Sequence, residues 1–255
     1  TGQEYYRTDL HAHEIYDGQW VRQDDRVVSV LDFGAKGNDT GDDSAAFQAA
    51  INSGEGMVFV PAGTYRIATK LNILNKSGLT LQGGGQYQTN IYWNGASGGT
   101  LFEIEGSQGV TLRDLWLNGN NVAATSLVIS RNAGNTYNTI LGLLDHVRLG
   151  NVTGTALKIG SSNNLQVDSW MFQNLFIDNY GVAVRIEGTM TMNMNFIGGG
   201  ISGLSSIPST VGFELVSGDD AGLQFFIHQT MIAGELPDLV FFEHIHSAIT
   251  HMSYK

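Results

Sequence analysis

The chain has 255 residues, a formal net charge of −11 at pH 7, 33 glycines and no cysteine. Its acidity excludes a nucleic-acid partner, because the 13 lysines and arginines are spread along the chain and form no basic stripe for phosphates. The absence of cysteine excludes disulfides. The sequence also contains no run of about 18 apolar residues, so it predicts no membrane-spanning helix.

Residues 1–26 are aromatic and charged and show no clear period. We interpret this segment as a connector or neck that precedes the main domain. His11, His13 and Glu14 are types that bind metals, but no further ligand cluster with fixed spacing follows them. A solvated or subunit-contacting segment is therefore favoured, and we expect neither a metal ion nor a cofactor.

A short helix is predicted soon after residue 40. Side-chain oxygens of Asp42 and Asp43 can accept the free amide hydrogens of a helix start. The helix should end near Ser53, and its apolar face is formed by Phe47, Ala50 and Ile51. Two strands, MVFV and TYRI, should follow. This helix would cover the open end of whatever stack of strands comes next.

From residue 100 onward, two apolar residues separated by one polar residue recur about every 25 to 30 residues. Each pair predicts a short strand with two side chains pointing inward, and the regular spacing predicts stacked coils around one core. The pairs are Phe102/Ile104, Leu127/Ile129, Leu157/Ile159, Val184/Ile186, Phe213/Leu215 and Val240/Phe242.

A second series runs out of phase with the first, through Leu115/Leu117, Val147/Leu149 and Leu175/Ile177. Two strands per coil, joined by bends rich in Gly, Asn and Asp, predict an all-β protein: a parallel β-helix over residues 27–255 with a short N-terminal capping helix. An antiparallel sandwich would also alternate, but it would not keep so regular a period. The ending THMSYK shows no recognisable closing cap, so truncation of the domain at its C-terminus stays an open alternative.

The string VLDFGAKGND…DDSAAFQAAI…GMVFVPAGTYRI, within residues 27–67, resembles the opening of the pectate-lyase-like right-handed parallel β-helix superfamily. The form it resembles is common in bacteriophage tailspikes and capsule depolymerases. The repeat supports the resemblance loosely as far as residue 245. The resemblance implies a homotrimeric protein of the virion tail that binds bacterial surface polysaccharide and often cleaves it. It also implies that the N-terminal segment contacts other tail proteins.

Pectin-specific motifs are incomplete in this chain. The segment SGDDAG at residues 217–222 is similar to the Gly-Asp-Asp of polygalacturonases, but the accompanying elements of that family are missing. We therefore interpret Asp219 and Asp220 as part of a bend, and pectin itself is not the expected substrate.

Between the inward pairs, one outward column should contain Glu103, Val128, Lys158, Arg185, Glu214 and Phe241. The next column should contain Glu105, Ser130, Gly160, Glu187, Val216 and Glu243. With coils about 4.8 Å apart, Glu187 and Glu214 should lie roughly 8 Å from each other, which is the carboxylate spacing of an inverting glycosidase.

In this hypothesis Arg185 keeps Glu214 ionised as the base, and Glu187 is the acid. Lys158, Arg185 and Glu243 would contact substrate, and Glu243 could replace either glutamate. The alternative interpretation is a charge ladder that stabilises an exposed sheet by a few tenths of a kcal/mol per pair.

A second outward column should contain Trp116, Arg148 and Phe176, with Asn118 and Asp178 alongside. Flat aromatic rings suit the apolar face of a sugar, so Trp116, Arg148, Phe176 and Asp178 are candidate saccharide-binding residues. Burial of this face in a trimer interface is the alternative.

The function predicted from the sequence is a tailspike-like protein that binds and hydrolyses bacterial capsular or O-antigen polysaccharide. Hydrolysis is preferred to elimination because acidic pairs outnumber the Lys, His and Tyr bases that a lyase needs. Two alternatives remain open, a non-catalytic adsorption module and a secreted polysaccharide lyase.

Overall fold

The computed structural model describes residues 4–7, 12–16, 20–22, 27–53, 56–160, 165–188, 190–203, 211–216, 225–228, 231–234, 240–244 and 253–254. Strands dominate this part of the chain, and it contains a single α-helix, α1. No helix among these residues is long and apolar enough to cross a bilayer.

The first three strands form a small antiparallel sheet of their own: β1 (Glu4–Arg7), β2 (Ala12–Tyr16) and β3 (Trp20–Arg22). They fall inside the segment that we predicted as a connector. That role, and the domain boundary at residue 27, stay predictions.

The parallel part begins with β4 (Val27–Ser29), a 3₁₀ turn (Val30–Phe33), β5 (Asn38–Asp42) and helix α1 (Ser44–Asn52). The next strands are β6 (Met57–Val60), β7 (Gly63–Ile67), β8 (Leu71–Leu74), β9 (Thr80–Gly83), β10 (Thr89–Trp93), β11 (Thr100–Glu105), β12 (Thr111–Asn118), β13 (Thr125–Ser130), β14 (Thr139–Ile140), β15 (Leu143–Gly150) and β16 (Thr155–Gly160).

The chain continues through β17 (Val167–Gln173), β18 (Phe176–Asp178), β19 (Val182–Glu187), β20 (Thr191–Ile197), β21 (Gly200–Gly203), β22 (Val211–Val216), β23 (Phe225–His228), β24 (Met231–Gly234), β25 (Val240–His244) and β26 (Ser253–Tyr254). From β4 onward these strands belong to two parallel sheets, one of 16 strands and one of seven. The predicted parallel β-helix is confirmed.

The seven-strand sheet has the order β25-β22-β19-β16-β13-β11-β8. Its register places Ile104, Ile129, Ile159, Ile186 and Leu215 one above the next, and each of the five is at most 4% exposed. The parallel column of Phe102, Leu127, Leu157, Val184 and Phe213 is fully buried. The inward pairs predicted from residue 102 to residue 215 are therefore confirmed.

The last pair is shifted by two residues from our prediction. Phe242 pairs with Phe213, and His244 pairs with Leu215, so Glu243 rather than Phe241 is next to Glu214. A shift of two residues preserves which face each side chain occupies, so alternation alone does not distinguish the two registers.

Each coil contains more strand than we predicted, because the 16-strand sheet covers two faces. The second apolar series, Leu115/Leu117 to Leu175/Ile177, forms one of them, and a run through Leu112, Leu144, Phe172 and Phe196 forms the other. Between the two faces the backbone turns at Asp114, His146 and Asn174, which have φ angles of 57°, 51° and 50°. Single left-handed residues produce these sharp bends.

Helix α1 covers the end of the seven-strand sheet. Phe47, Ala50 and Ile51 are fully buried, as predicted. Gln48 on its other side bonds the backbone of the terminal strand β8: its Nε2 donates to Asn72 O at 2.9 Å, and its Oε1 accepts from Asn72 N at 2.9 Å.

The two aspartates before α1 have different roles. Asp42 Oδ1 accepts a hydrogen bond from Ser44 N at 2.9 Å, at the start of the helix. Asp43, the residue at the cap position, makes no capping bond with its side chain and instead accepts from Lys36 N at 2.8 Å. The predicted capping is therefore performed by Asp42 alone.

Candidate functional site

The outer face of the seven-strand sheet contains the predicted column of charged residues. Pairing joins Glu103 to Val128, Val128 to Lys158, Lys158 to Arg185 and Arg185 to Glu214. In the next column Gly160 pairs with Glu187, and Glu187 pairs with Val216. The sequence thus predicted correctly which charged residues would be neighbours on this face.

Arg185 connects the two glutamates proposed as catalytic. Its Nη1 donates to Glu214 Oε2 at 2.6 Å, and its Nε donates to Glu187 Oε2 at 3.3 Å. Lys158 Nζ lies 2.8 Å from Glu187 Oε1. We call these four residues the glutamate network. Both carboxylates are within reach of one guanidinium, and the separation expected from strand spacing stays a prediction.

The two carboxylates of the glutamate network have different surroundings. Glu214 is 7% exposed and bonds Arg185, whereas Glu187 is more open and contacts two cations. A buried carboxylate with one cation is suited to accept a proton from water. Glu187 is instead held by both Lys158 and Arg185.

A second acidic cluster on the same face was not predicted as a site. Ser130 Oγ donates to Glu103 Oε1 at 2.7 Å, and Lys70 Nζ also binds Glu103. Glu105 Oε1 accepts from Asn132 Nδ2 at 2.7 Å and from Asn135 Nδ2 at 3.0 Å. The only sequence signal is the asparagine-rich loop that follows β13.

Burial alone would raise the pKa of Glu105, but hydrogen bonds from Asn132, Asn135 and Asn72, together with the charge of Lys70, bring it below its ordinary value. The loop after β13 is thus attached to the seven-strand sheet through an ionised carboxylate.

The second predicted surface lies on the 16-strand sheet. Trp116 pairs with Arg148, and Arg148 pairs with Phe176. The Arg148 guanidinium carbon is 4.2 Å from the centre of the Trp116 ring. Arg148 Nε and Nη2 lie 2.7 Å and 2.6 Å from Asp178 Oδ2. The structure therefore brings together all four residues predicted for this surface.

Sequence reasoning missed a fifth residue at this surface, Tyr87. It belongs to the glycine-rich loop between β9 and β10, where no periodicity indicates a direction for the side chain. Tyr87 is 72% exposed, and the Arg148 guanidinium carbon lies 5.5 Å from its ring centre. We call Tyr87, Trp116, Arg148, Phe176 and Asp178 the arginine platform.

Two other predicted features are outside the argument from geometry. Residues 217–222, with Asp219 and Asp220, lie outside the described residues, and for Glu243 the structure gives only the register of its strand. Among the described residues, no group of three or more histidines and acids is placed to hold a metal ion.

A family model matches most of the chain. Residues 27–203 match the family model described as rhamnogalacturonase A/epimerase, pectate lyase-like. An 83-residue segment is 39% identical to a probable rhamnogalacturonase B of Neosartorya fischeri. That segment is 31% of this chain and 15% of the relative, so the chain matches a small part of that protein's length.

Two solved structures share the fold. The A-module of the mannuronan C-5 epimerase AlgE4 of Azotobacter vinelandii is 16% identical, with a TM-score of 0.54 over 85% of this chain and 76% of that one. The catalytic unit of an α-1,3-glucanase of Streptomyces thermodiastaticus is 18% identical, with a TM-score of 0.53 over 84% of this chain and 41% of that one.

The coil-by-coil register, the capping helix and the match over residues 27–203 agree with one another. The chain belongs to the rhamnogalacturonase A/epimerase family of pectate-lyase-like parallel β-helix proteins.

Proposed function

We propose that this protein binds a bacterial surface polysaccharide and hydrolyses it as part of a bacteriophage tailspike. The observation that carries the proposal is the pair of carboxylates linked by Arg185 on an open sheet face, in a chain of a family named for enzymes that act on polysaccharides. The tailspike role rests on the resemblance of residues 27–67 to the opening of such proteins. Secretion without a virion is the alternative location.

In the proposed reaction Glu214 removes a proton from water, and Glu187 protonates the glycosidic oxygen that leaves. The attacking oxygen forms a bond to the anomeric carbon as the bond to the leaving oxygen breaks, so the configuration inverts. Arg185 orients Glu214 through its ion pair, and substrate displaces Lys158 from Glu187.

Glu243 offers a different partner for Glu214. The two are register neighbours, and Cα atoms on adjacent strands lie about 4.8 Å apart. This is close to the carboxylate separation of about 5 Å that accompanies retention of configuration. The stereochemistry of the product therefore distinguishes the pair Glu187/Glu214 from the pair Glu214/Glu243.

The test uses a panel of capsular and O-antigen polysaccharides, with products sized and reducing ends measured. Glu187→Gln and Glu214→Gln should each lower turnover by about 10²- to 10⁴-fold while the melting temperature changes little. The matched control is Glu103→Gln, which removes an ion-paired glutamate from the column of Glu214, four strands away. Unchanged turnover in both test variants would reject the assignment.

NMR of the first product reports the anomer. The inverted anomer supports Glu187 as acid, whereas the retained anomer with an inactive Glu243→Gln variant transfers that role to Glu243. Unsaturated products would show that the polymer is cleaved by elimination and not by hydrolysis, which is the lyase alternative.

A non-catalytic adsorption module is the second candidate, and the ion pairing itself favours it. Both glutamates are held by cations in the way that stabilises an exposed sheet. In that case Arg185→Met should destabilise the fold. The double variant Arg185→Met/Glu214→Gln should lose less stability than the sum of the losses in the two single variants. Polysaccharide that is bound but never shortened would support this candidate.

Homotrimerisation is part of the proposal, with the N-terminal segment as the contact to other tail proteins. Light scattering on the purified chain should give three times the chain mass. A monomer at all concentrations would reject the trimer.

A further inference from the structure

We infer that the arginine platform binds a neutral saccharide rather than an anionic one. The inference rests on the proposed function, because it names the substrate class of a polysaccharide-binding protein. It concerns a surface on the 16-strand sheet, whereas the glutamate network lies on the seven-strand sheet.

Arg148, the cation of the platform, is already neutralised by Asp178. Arg148 makes two short contacts with Asp178 Oδ2. Recognition of a carboxylate or phosphate on a sugar usually requires a guanidinium whose donors are open to the ligand. An anionic sugar would therefore meet a guanidinium that already shares its charge with Asp178.

The other outward-facing cations on the two sheets are paired in the same way. Lys158 and Arg185 bind glutamates, Lys70 binds Glu103, and Arg66 binds Asp39 at 2.7 Å. With a net charge of −11, the chain as a whole repels a polyanion. Neither outward column therefore offers an uncompensated positive site for an acidic polymer.

The aromatic rings of the platform also favour a neutral sugar. Asp178 fixes the Arg148 guanidinium, which lies against the Trp116 ring. Trp116, Arg148 and Phe176 occupy three adjacent strands, and three strands span about 10 Å. Trp116 and Phe176 are half-buried and give this strip aromatic surface, which suits the C–H face of a sugar ring.

The platform also has a polar rim, formed by Tyr87 and Asp178. Tyr87 projects from its loop beside Arg148 with 72% of its surface exposed, which gives a ring edge and a hydroxyl at the side of the strip. Asp178 accepts both Arg148 bonds through Oδ2, and 21% of its side-chain surface stays exposed. Hydroxyls, which both donate and accept, are the groups that this rim can bind.

The experiment compares binding of neutral polysaccharides, such as dextran, galactan and mannan, with binding of polygalacturonate and hyaluronate. Affinity is measured for the full chain at about 0.05 and 0.5 M NaCl, where screening differs strongly. We expect at least one neutral polymer to bind with a dissociation constant that changes less than about twofold, since no free charge is involved.

Tyr87→Ala should weaken that binding about 5- to 10-fold, which corresponds to the loss of one aromatic contact. Because Tyr87 is mostly exposed, the variant should fold normally, and its melting curve checks this. The matched control is Met171→Ala, which truncates a 41% exposed side chain on the 16-strand sheet outside the platform and should leave binding unchanged.

Tighter binding of the acidic polymers, with a steep loss at high salt, would overturn the inference and leave the proposed function standing. Neutral binding that Tyr87→Ala does not weaken would overturn the assignment to the platform. If no polysaccharide is bound or shortened, the proposed function fails together with the inference.

Discussion

Individual carboxylates on the seven-strand sheet are stabilised by different partners. Glu187 and Glu214 interact with cations, whereas Glu105 accepts hydrogen bonds from neutral asparagine amides. Amide donors favour the ionised form without adding charge, and the lowered pKa of Glu105 reflects them despite the opposing effect of burial. The stability of this region should therefore depend on pH.

A carboxyl whose pKa is lower in the folded state stabilises the fold above its unfolded pKa, and this contribution is lost as pH falls through the folded pKa. Glu105→Gln should therefore reduce the free energy of unfolding at neutral pH and make little difference at about pH 3. Urea denaturation at both pH values measures the effect.

The companion variant for this prediction is Asn132→Ala, which removes one amide donor and keeps the carboxylate. It should show a smaller loss with the same direction of pH dependence. An equal loss at both pH values in Glu105→Gln would mean that packing rather than ionisation explains its contribution.

Helix α1 is the element that covers the exposed edge of the seven-strand sheet. It lies at the end of the seven-strand sheet and uses Gln48 to bond both backbone groups of Asn72. An uncovered edge strand presents unpaired amides and carbonyls that can pair with another chain. Gln48 therefore replaces the strand that would otherwise continue the sheet.

Gln48→Ala should lower the free energy of unfolding by about 1–2 kcal/mol, because two backbone groups of β8 lose their partners. Chemical denaturation measures the change. Gln48→Glu retains the acceptor for Asn72 N but loses the donor to Asn72 O, so it should fall between wild type and Gln48→Ala. Equal stability of all three proteins would contradict this account of the cap.

Prediction from sequence succeeded best for elements with a strong period. The apolar face of α1 and the inward pairs of β11, β13, β16, β19 and β22 follow from spacing alone. The register of β25 does not, because its sequence alternates equally well two residues away. The strand face through Leu112 and Phe172 was missed, because the bends between faces require only one left-handed residue.

The whole molecule is a stack in which each coil contacts its neighbours. Phe172 and Phe196, on adjacent strands, stack at 4.4 Å between ring centres, and Phe196 meets Phe213 edge-on at 5.4 Å. In such a stack, stability is approximately a sum of coil and interface terms. Damage to one coil should therefore spread to its neighbours before it reaches the ends.

Phe172→Ala should cost about 3–5 kcal/mol, since it removes a fully buried ring from the middle of the stack. Hydrogen exchange should show the largest loss of protection in β15, β17 and β20, and a smaller loss near α1. A uniform loss throughout the chain would indicate that the solenoid unfolds as a single unit under these conditions.

The sequence by itself determined the class of fold, the capping helix and the order of charged residues along the outer columns as far as Glu214, because hydrophobic alternation and coil length are local properties. Only the tertiary structure decided which side chains meet across distant segments. Tyr87 reaches Arg148 from a loop without period, Asn132 reaches Glu105 across 27 residues, and Arg185 bonds Glu187 in addition to Glu214. Those contacts depend on rotamers and loop paths that stacking creates, and no spacing in the sequence encodes them.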